Sequence, residues 1–143
     1  MNNTLLIVNR SKEQQQAIGK VLSSFKMKLH CVENGSEALA LTKRLKPRLI
    51  ISRVDNEAMD GITMADILGK DKLLKNTPII FVHKELDLSL IAAAKQVNSK
   101  AFLIKPYLNS SLIYAVKRVL ELSEEHSSIR MNTATRTSSY LYA

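Results

Sequence analysis

The chain of 143 residues has no tryptophan, and aromatic residues make up only 5% of it. Whatever core it builds must therefore be filled by aliphatic side chains. A single cysteine, Cys31, excludes an internal disulfide and fits a reducing compartment. Cys31 falls in an apolar-leaning segment, where a buried thiol is expected rather than a nucleophile. No apolar run approaches the roughly 20 residues that cross a bilayer. The start, Met1-Asn2-Asn3-Thr4, runs straight into a short apolar stretch. It lacks the basic start, longer apolar region and small-residue cleavage site of a secretory signal. A cytoplasmic protein is expected. The first apolar run is followed by Asn9-Arg10-Ser11-Lys12, which is not a glycine-rich phosphate loop, and no nucleophile–base pair stands out. His30 and His126 match no metal-ligand spacing. These absences point away from an enzyme and give no expectation of a cofactor or a metal.

Hydrophobic residues make up 45% of the chain, enough for one continuous core in one domain. The formal net charge is +8 and the pI about 9.7. Such a balance invites a polyanionic partner, either nucleic acid or an acidic protein face. Lys and Arg are scattered rather than gathered in one run, so solubility explains them equally well. Lys43-Arg44 with Lys46 and Arg48 form a local cluster around the end of the second predicted helix, and it reads as a solvated face.

Along the chain, apolar runs alternate with helical periodicity. Leu5–Val8 reads as a buried strand. Over residues 11–25, Ile18, Val21, Leu22 and Phe25 share a stripe, with Ser11 as N-cap. Lys28–Val32 reads as a second strand. Asn34-Gly35 reads as a turn, and Ser36 with Glu37 opens a helix that Pro47 ends. A third strand covers Leu49–Val54. Asp60 caps a helix running to about Lys72. A fourth strand covers Pro78–Val82, a helix Leu86–Val97, and a fifth strand Ala101–Ile104. The last helix buries Leu112, Val116, Val119 and Leu120 and ends near Ser123. Five strands alternating with five helices predict a single-domain (βα)5 α/β fold, a doubly wound parallel five-stranded sheet. In such sheets function sits outside the carboxyl ends of the strands. Residues 1–123 form the expected domain. Residues 124–143, rich in Ser and Thr, read as a flexible tail, with Tyr140-Leu141-Tyr142-Ala143 apolar enough to dock.

Several segments, in order, resemble the receiver domains of bacterial response regulators. They are Asn34-Gly35-Ser36-Glu37-Ala38-Leu39, Pro47 to Val54 followed by Met59-Asp60-Gly61, Thr77-Pro78-Ile79-Ile80, and Phe102-Leu103-Ile104-Lys105-Pro106-Tyr107. The resemblance covers roughly residues 4–122 and implies a CheY-like, flavodoxin-like sheet in strand order 2-1-3-4-5. It implies two acidic residues holding Mg²⁺ after the first strand, a phospho-accepting aspartate ending the third, a Thr or Ser after the fourth and a Lys after the fifth. Here the acidic pair falls on Asn9 and Arg10, the acceptor on Arg53 and the Thr/Ser position on His83. Only the Lys, Lys105, is kept, and Phe102 fits the aromatic switch position.

A guanidinium is not a nucleophile and stays protonated. Mg²⁺ prefers carboxylate oxygens. The resemblance therefore implies a pseudo-receiver whose pocket, made of Asn9, Arg10, Arg53, Asp55, His83 and Lys105, is cationic. Two like charges about 5 Å apart at an effective dielectric near 20 repel by roughly 3 kcal/mol. Asp55, a bound anion, or arginines turned outward could offset that. His83 is expected to be satisfied by local hydrogen bonds. Receivers usually dock partners through the fourth helix, fifth strand and fifth helix, a surface implied here at Ala92, Ala93, Lys95, Phe102, Tyr114 and Arg118. The expected role is a phosphorylation-independent protein-interaction module of a two-component phosphorelay, partnered by a kinase, an effector or a second copy. The alternative is a nucleic-acid or acidic-surface binder on the same fold.

Overall fold

A computed structural model of the chain describes residues 3–97, 99–125 and 139–141. In chain order the elements are β1 (Thr4–Val8), α1 (Lys12–Val21), β2 (Lys28–Val32), α2 (Gly35–Leu45), β3 (Leu49–Arg53), α3 (Gly61–Gly69), β4 (Ile79–His83), α4 (Leu88–Gln96), β5 (Ala101–Ile104), α5 (Asn109–Glu125) and β6 (Ser139–Leu141). The first five strands are parallel and lie in the order β2-β1-β3-β4-β5 that the family resemblance implies. β6 adds a sixth, antiparallel strand beyond β5.

Strand side chains alternate between two buried layers, as a pleated sheet covered on both sides requires. Leu5, Ile7, Leu49, Ile51, Ile80, Val82, Ala101 and Leu103 pack with Ile18 and Leu22, and with Leu112, Val116 and Val119 of α5. Leu6, Val8, Ile50, Phe81 and Phe102 pack with Ala38 of α2, Met64 and Leu68 of α3, and Ile91 and Ala94 of α4. Fully burying one such side chain contributes about 1.5–3 kcal/mol. No described helix is long and apolar enough to cross a membrane.

Four helices begin on a side chain that accepts a backbone amide: Ser11 from Gln14, Asn34 from Glu37, Asp60 from Thr63 and Asp87 from Leu90. Each such cap contributes about 1 kcal/mol. Ser11 and Asp60 are the caps expected from sequence. α2 begins earlier than expected because Asn34 is its cap, and Glu37 turns back to accept the Glu33 amide at 2.9 Å. α4 begins later than Leu86 because the Asp87 carboxylate fixes its start. The first helix stops at Val21, and a 3₁₀ turn, Ser23–Phe25, closes on Lys26 in the left-handed region at φ 54°.

Cys31 does not take the buried position expected of it. It lies exposed on β2, which ends the sheet and has only β1 as a neighbour. Partial burial pushes its thiol above the ordinary value, so it is not an activated nucleophile. Of the segment expected to be a flexible tail, residues 126–138 and 142–143 lie outside the described residues, as does His126.

Two glycines give predictions of opposite sign. A Cβ at Gly61 would stand 2.6 Å from the Arg53 carbonyl oxygen and 2.7 Å from the Phe81 ring. At Gly69 it would meet nothing within 4 Å. Gly61→Ala is expected to destabilise by about 1–3 kcal/mol, and Gly69→Ala to stabilise by about 0.5–1 kcal/mol. Urea unfolding midpoints of the two variants check both signs.

Candidate functional site at the carboxyl edge of the sheet

Because the strands are parallel and nearly in register, Val8 stands beside Ser52, Arg53 beside Val82, and His83 beside Ile104. The residues that follow or end β1, β3, β4 and β5 therefore share one edge: Asn9, Arg53, His83 and Lys105. The loop after β3 brings Asp55 to the same edge. That loop is held by the Asn56 amide on the Arg53 carbonyl at 2.9 Å and the Gly61 amide on the Val54 carbonyl at 2.8 Å. It also contains Ala58 at φ 68°.

Arg53 and Asp55 make the central contact. The guanidinium donates through Nε and one terminal nitrogen to the two Asp55 oxygens, each at 3.2 Å. The Arg53 side chain is 16% exposed and that of Asp55 40%. A paired hydrogen bond to a charged group in this setting contributes about 1.5–3 kcal/mol. Lys84 Nζ approaches the same carboxylate at 3.8 Å. Asp55 thus sits between two cations and offsets the repulsion expected at this edge.

Lys105 has no carboxylate within ion-pair distance among the described residues. Burial and then the Arg53 charge pull its amine below the ordinary 10.5, with Asp55 opposing. Lys105 also borders an open cleft of about 510 Å³ with Lys84, Gln14, Ile18 and Tyr107. Burial raises the Tyr107 phenol.

Arg10 does not join this group. Its side chain is 51% exposed and turns to Glu57, 2.6 Å away and itself 81% exposed. An ion pair this wet contributes little. Of the three cations expected to converge, Arg53 and Lys105 are electrostatic neighbours and Arg10 faces outward. Asn9 is buried and both ends of its amide are used. Nδ2 donates to Gln14 at 2.9 Å, and Oδ1 accepts the Ser11 amide at 2.9 Å.

His83 is buried, but its Nδ1 has no hydrogen-bond partner, contrary to the expectation of local satisfaction. Its ring meets Phe102 edge-on at 6.1 Å. Phe102 is 0% exposed and also packs against Phe81 at 6.4 Å. This corrects its expected place on the partner surface. Its side chain points into the layer under α4, so a partner reaches it only through the β5 backbone. Ala92 and Lys95 are exposed, while Ala93, Tyr114 and Arg118 are half-buried. The Arg118 guanidinium lies 5.3 Å over the Tyr114 ring, a cation–π contact.

Sequence reasoning missed Glu57 and Lys84 as partners of Arg10 and Asp55. Both lie in loops flanking the edge, and only opposite charge beside the strand ends could have suggested them. Among the described residues, no three His, Cys, Asp or Glu side chains gather as a metal site would require.

The same fold recurs in known proteins. Residues 5–117 match the response regulator receiver domain. The chain is 28% identical over 102 residues to the transcriptional regulatory protein PdtaR of Mycobacterium tuberculosis, covering 71% of this chain and 48% of that protein. It is 24% identical over 128 residues to the regulatory protein AtoC of Escherichia coli, covering 90% and 27% respectively. The chain thus spans half or less of the length of these curated relatives. Among solved structures, a putative response regulator from Chloroflexus aurantiacus is 26% identical with a TM-score of 0.79, covering 85% of this chain and 99% of that one. The receiver domain of a signal transduction histidine kinase from Syntrophus aciditrophicus is 27% identical with a TM-score of 0.79, covering 90% and 98%.

The coupling between Arg53 and Lys105 is measurable. Replacing Arg53 by Gln removes one of the two causes that lower the Lys105 amine, which should then titrate closer to 10.5. A lysine whose folded pKa is depressed opposes folding while it is charged in both states. Stability of the native chain should therefore rise between that depressed value and 10.5, and rise less in R53Q. Side-chain NMR titration of Lys105 with parallel denaturation across that window checks both; an unmoved Lys105 would show that no coupling exists.

Proposed function

We propose that this chain, which belongs to the response regulator receiver domain family, is an atypical receiver that works in two-component signalling as a protein-interaction module without aspartyl phosphorylation. Receiver domains are generally signalling modules that engage kinases or effector domains. The single observation that carries the finer reading is the paired hydrogen bond between Arg53, at the carboxyl end of β3, and Asp55.

The residues at this edge do not fit the Mg²⁺ that the family's chemistry employs. Asn9 is the neutral residue at one expected acidic position, and its side-chain oxygen already accepts the Ser11 amide. Arg10, at the other, is a cation turned to Glu57. Asp55, a carboxylate of this edge, is engaged by Arg53 and approached by Lys84. A divalent cation would have to displace the paired Arg53 guanidinium and compete with Lys84 to reach it, and Mg²⁺ needs near-octahedral oxygen coordination. On this reading the fixed cations stand electrostatically where the metal would and hold one conformation.

Partners are proposed to dock on the side formed by α4, β5 and α5, through Ala92, Ala93, Lys95, Tyr114 and Arg118. Two exposed or half-buried alanines on α4 permit close backbone approach, and the Arg118–Tyr114 stack offers a rigid cationic and aromatic anchor. The domain proper is taken as residues 1–123, with 124–143 as its appendage.

Amide NMR spectra recorded while Mg²⁺ and beryllofluoride are added test the reading. No saturable change is expected at Arg53, His83 or Lys105. Arg53→Asp should lose about 1–3 kcal/mol of stability, because it sets a carboxylate beside Asp55 and removes the paired hydrogen bond, and should gain a response to Mg²⁺. Metal-dependent shifts in the native chain spreading to Phe102 would instead mean a working acceptor, with Asp55 the first candidate.

A further inference from the structure

The described strand β6 has no counterpart in the function just proposed. Ser139, Tyr140 and Leu141 pair antiparallel with Leu103, Phe102 and Ala101. This covers the edge of β5 on the side proposed for partner docking. We propose that the β5 edge is a strand-addition site for an extended peptide segment, and that the chain's own Ser139–Leu141 fills it in cis as a displaceable plug.

The hydrogen-bonding faces follow from neighbouring contacts. Lys105 donates its amide to the His83 carbonyl at 2.9 Å, with Phe102 beside Phe81 and Ile104 beside His83. Alternation along β5 then turns the backbone groups of Ala101 and Leu103 towards β4 and those of Phe102 towards the outer edge. Phe102 faces Tyr140. Without β6, the amide and carbonyl of Phe102, in a strand whose Ala101, Phe102 and Leu103 side chains are all fully buried, would stand unpaired. An uncharged, flat edge of this kind pairs with whatever extended backbone reaches it.

The plug is built to leave. It has three residues, where β1 to β4 have five each. At a sheet edge, ordering a residue costs about as much as one hydrogen bond returns. Geometry also permits the pairing within one chain. Helix α5, with 17 residues, covers about 25 Å. The 13 residues from 126 to 138 can span about 43–47 Å when extended. They are long enough to return along α5 and present Ser139 beside Leu103. Any partner that uses the β5 backbone must first displace β6. The proposal concerns strand pairing alone, so it stands or falls separately from the beryllofluoride result.

The test uses the full chain and its Tyr140→Pro variant. Proline removes the inward amide at that position. Amide hydrogen exchange at Phe102 should be at least tenfold faster in the variant, with Ala101, Leu103 and β1 unchanged. A synthetic peptide of residues 137–143 (Thr-Ser-Ser-Tyr-Leu-Tyr-Ala) should produce saturable shifts at Phe102 in the variant, and bind the native chain at least tenfold more weakly. Equal exchange in the two proteins would overturn the plug. Equal peptide binding to both, or none to the variant, would overturn the addition site. Protection of Phe102 that grows with protein concentration would place the strand in trans, from a second copy, and overturn cis occupancy.

Discussion

The electrostatics of the sheet's carboxyl edge depend on one neutralisation, that of the Arg53 guanidinium by Asp55. Arg53 is mostly enclosed, and an enclosed charge without a partner is costly to keep. Because Asp55 lies two residues on in the same chain, pairing needs only that the loop after β3 turn back sharply. Several features serve that turn. The Asn56 side chain holds the Arg53 carbonyl, the Gly61 amide holds the Val54 carbonyl, and Gly61 leaves room for the Arg53 carbonyl and the Phe81 ring. The backbone of this loop is thus organised around a cation. Lys105 completes the arrangement as the neighbour whose charge Arg53 disfavours.

The topology was legible in the sequence because the signals were redundant. β1, β3 and β4 are apolar runs buried on both faces, each bounded by a cap or a Pro, and their alternation with helices admits few other folds. The identities at the strand ends were legible for the same reason, since a strand fixes which residue comes last. The directions of long side chains were not. Arg10 follows β1 directly, and its long, flexible stem let it leave the edge for Glu57. Phe102 is placed on a surface by its role in the family, yet strand parity sends it into the layer with Phe81 and Ile91. Cys31 misleads because its neighbours look apolar, whereas β2 has a strand on one side only and its residues are only partly covered. β6 was illegible as a strand, since three residues carry no period.

The charge of the chain reads differently once these partners are known. A surplus of eight positive charges suggests a polyanion only if the cations are gathered and free. At the carboxyl edge, among the described residues, Lys105 alone of Arg10, Arg53, Lys84 and Lys105 lacks a carboxylate within ion-pair distance. Arg53 and Lys84 share Asp55, and Arg10 has Glu57. A positively charged edge largely matched by its own carboxylates gains less from an added anion than a bare one, because the anion must compete with groups that are covalently held in place. This favours a protein partner over a nucleic acid at this edge.

The two borders of the parallel sheet pose the same physical problem and meet it differently. β2 leaves backbone groups open on its outer side, but its residues Lys28 and Cys31 are exposed, and Lys26 and Glu33 flank it. Charge at an edge strand discourages pairing with another sheet. β5 lacks that protection, since nothing charged lies between Lys100 and Lys105 and its first three side chains are fully buried. Such a border must be covered, either by a partner or by the chain itself. On the proposed reading, in which phosphorylation does not change the state of the receiver, the pairing of β5 is a place where the same edge has two possible occupants. A switch, if this fold retains one, is therefore to be sought in the strand that borders β5 rather than in the cationic site at the ends of β3 and β5.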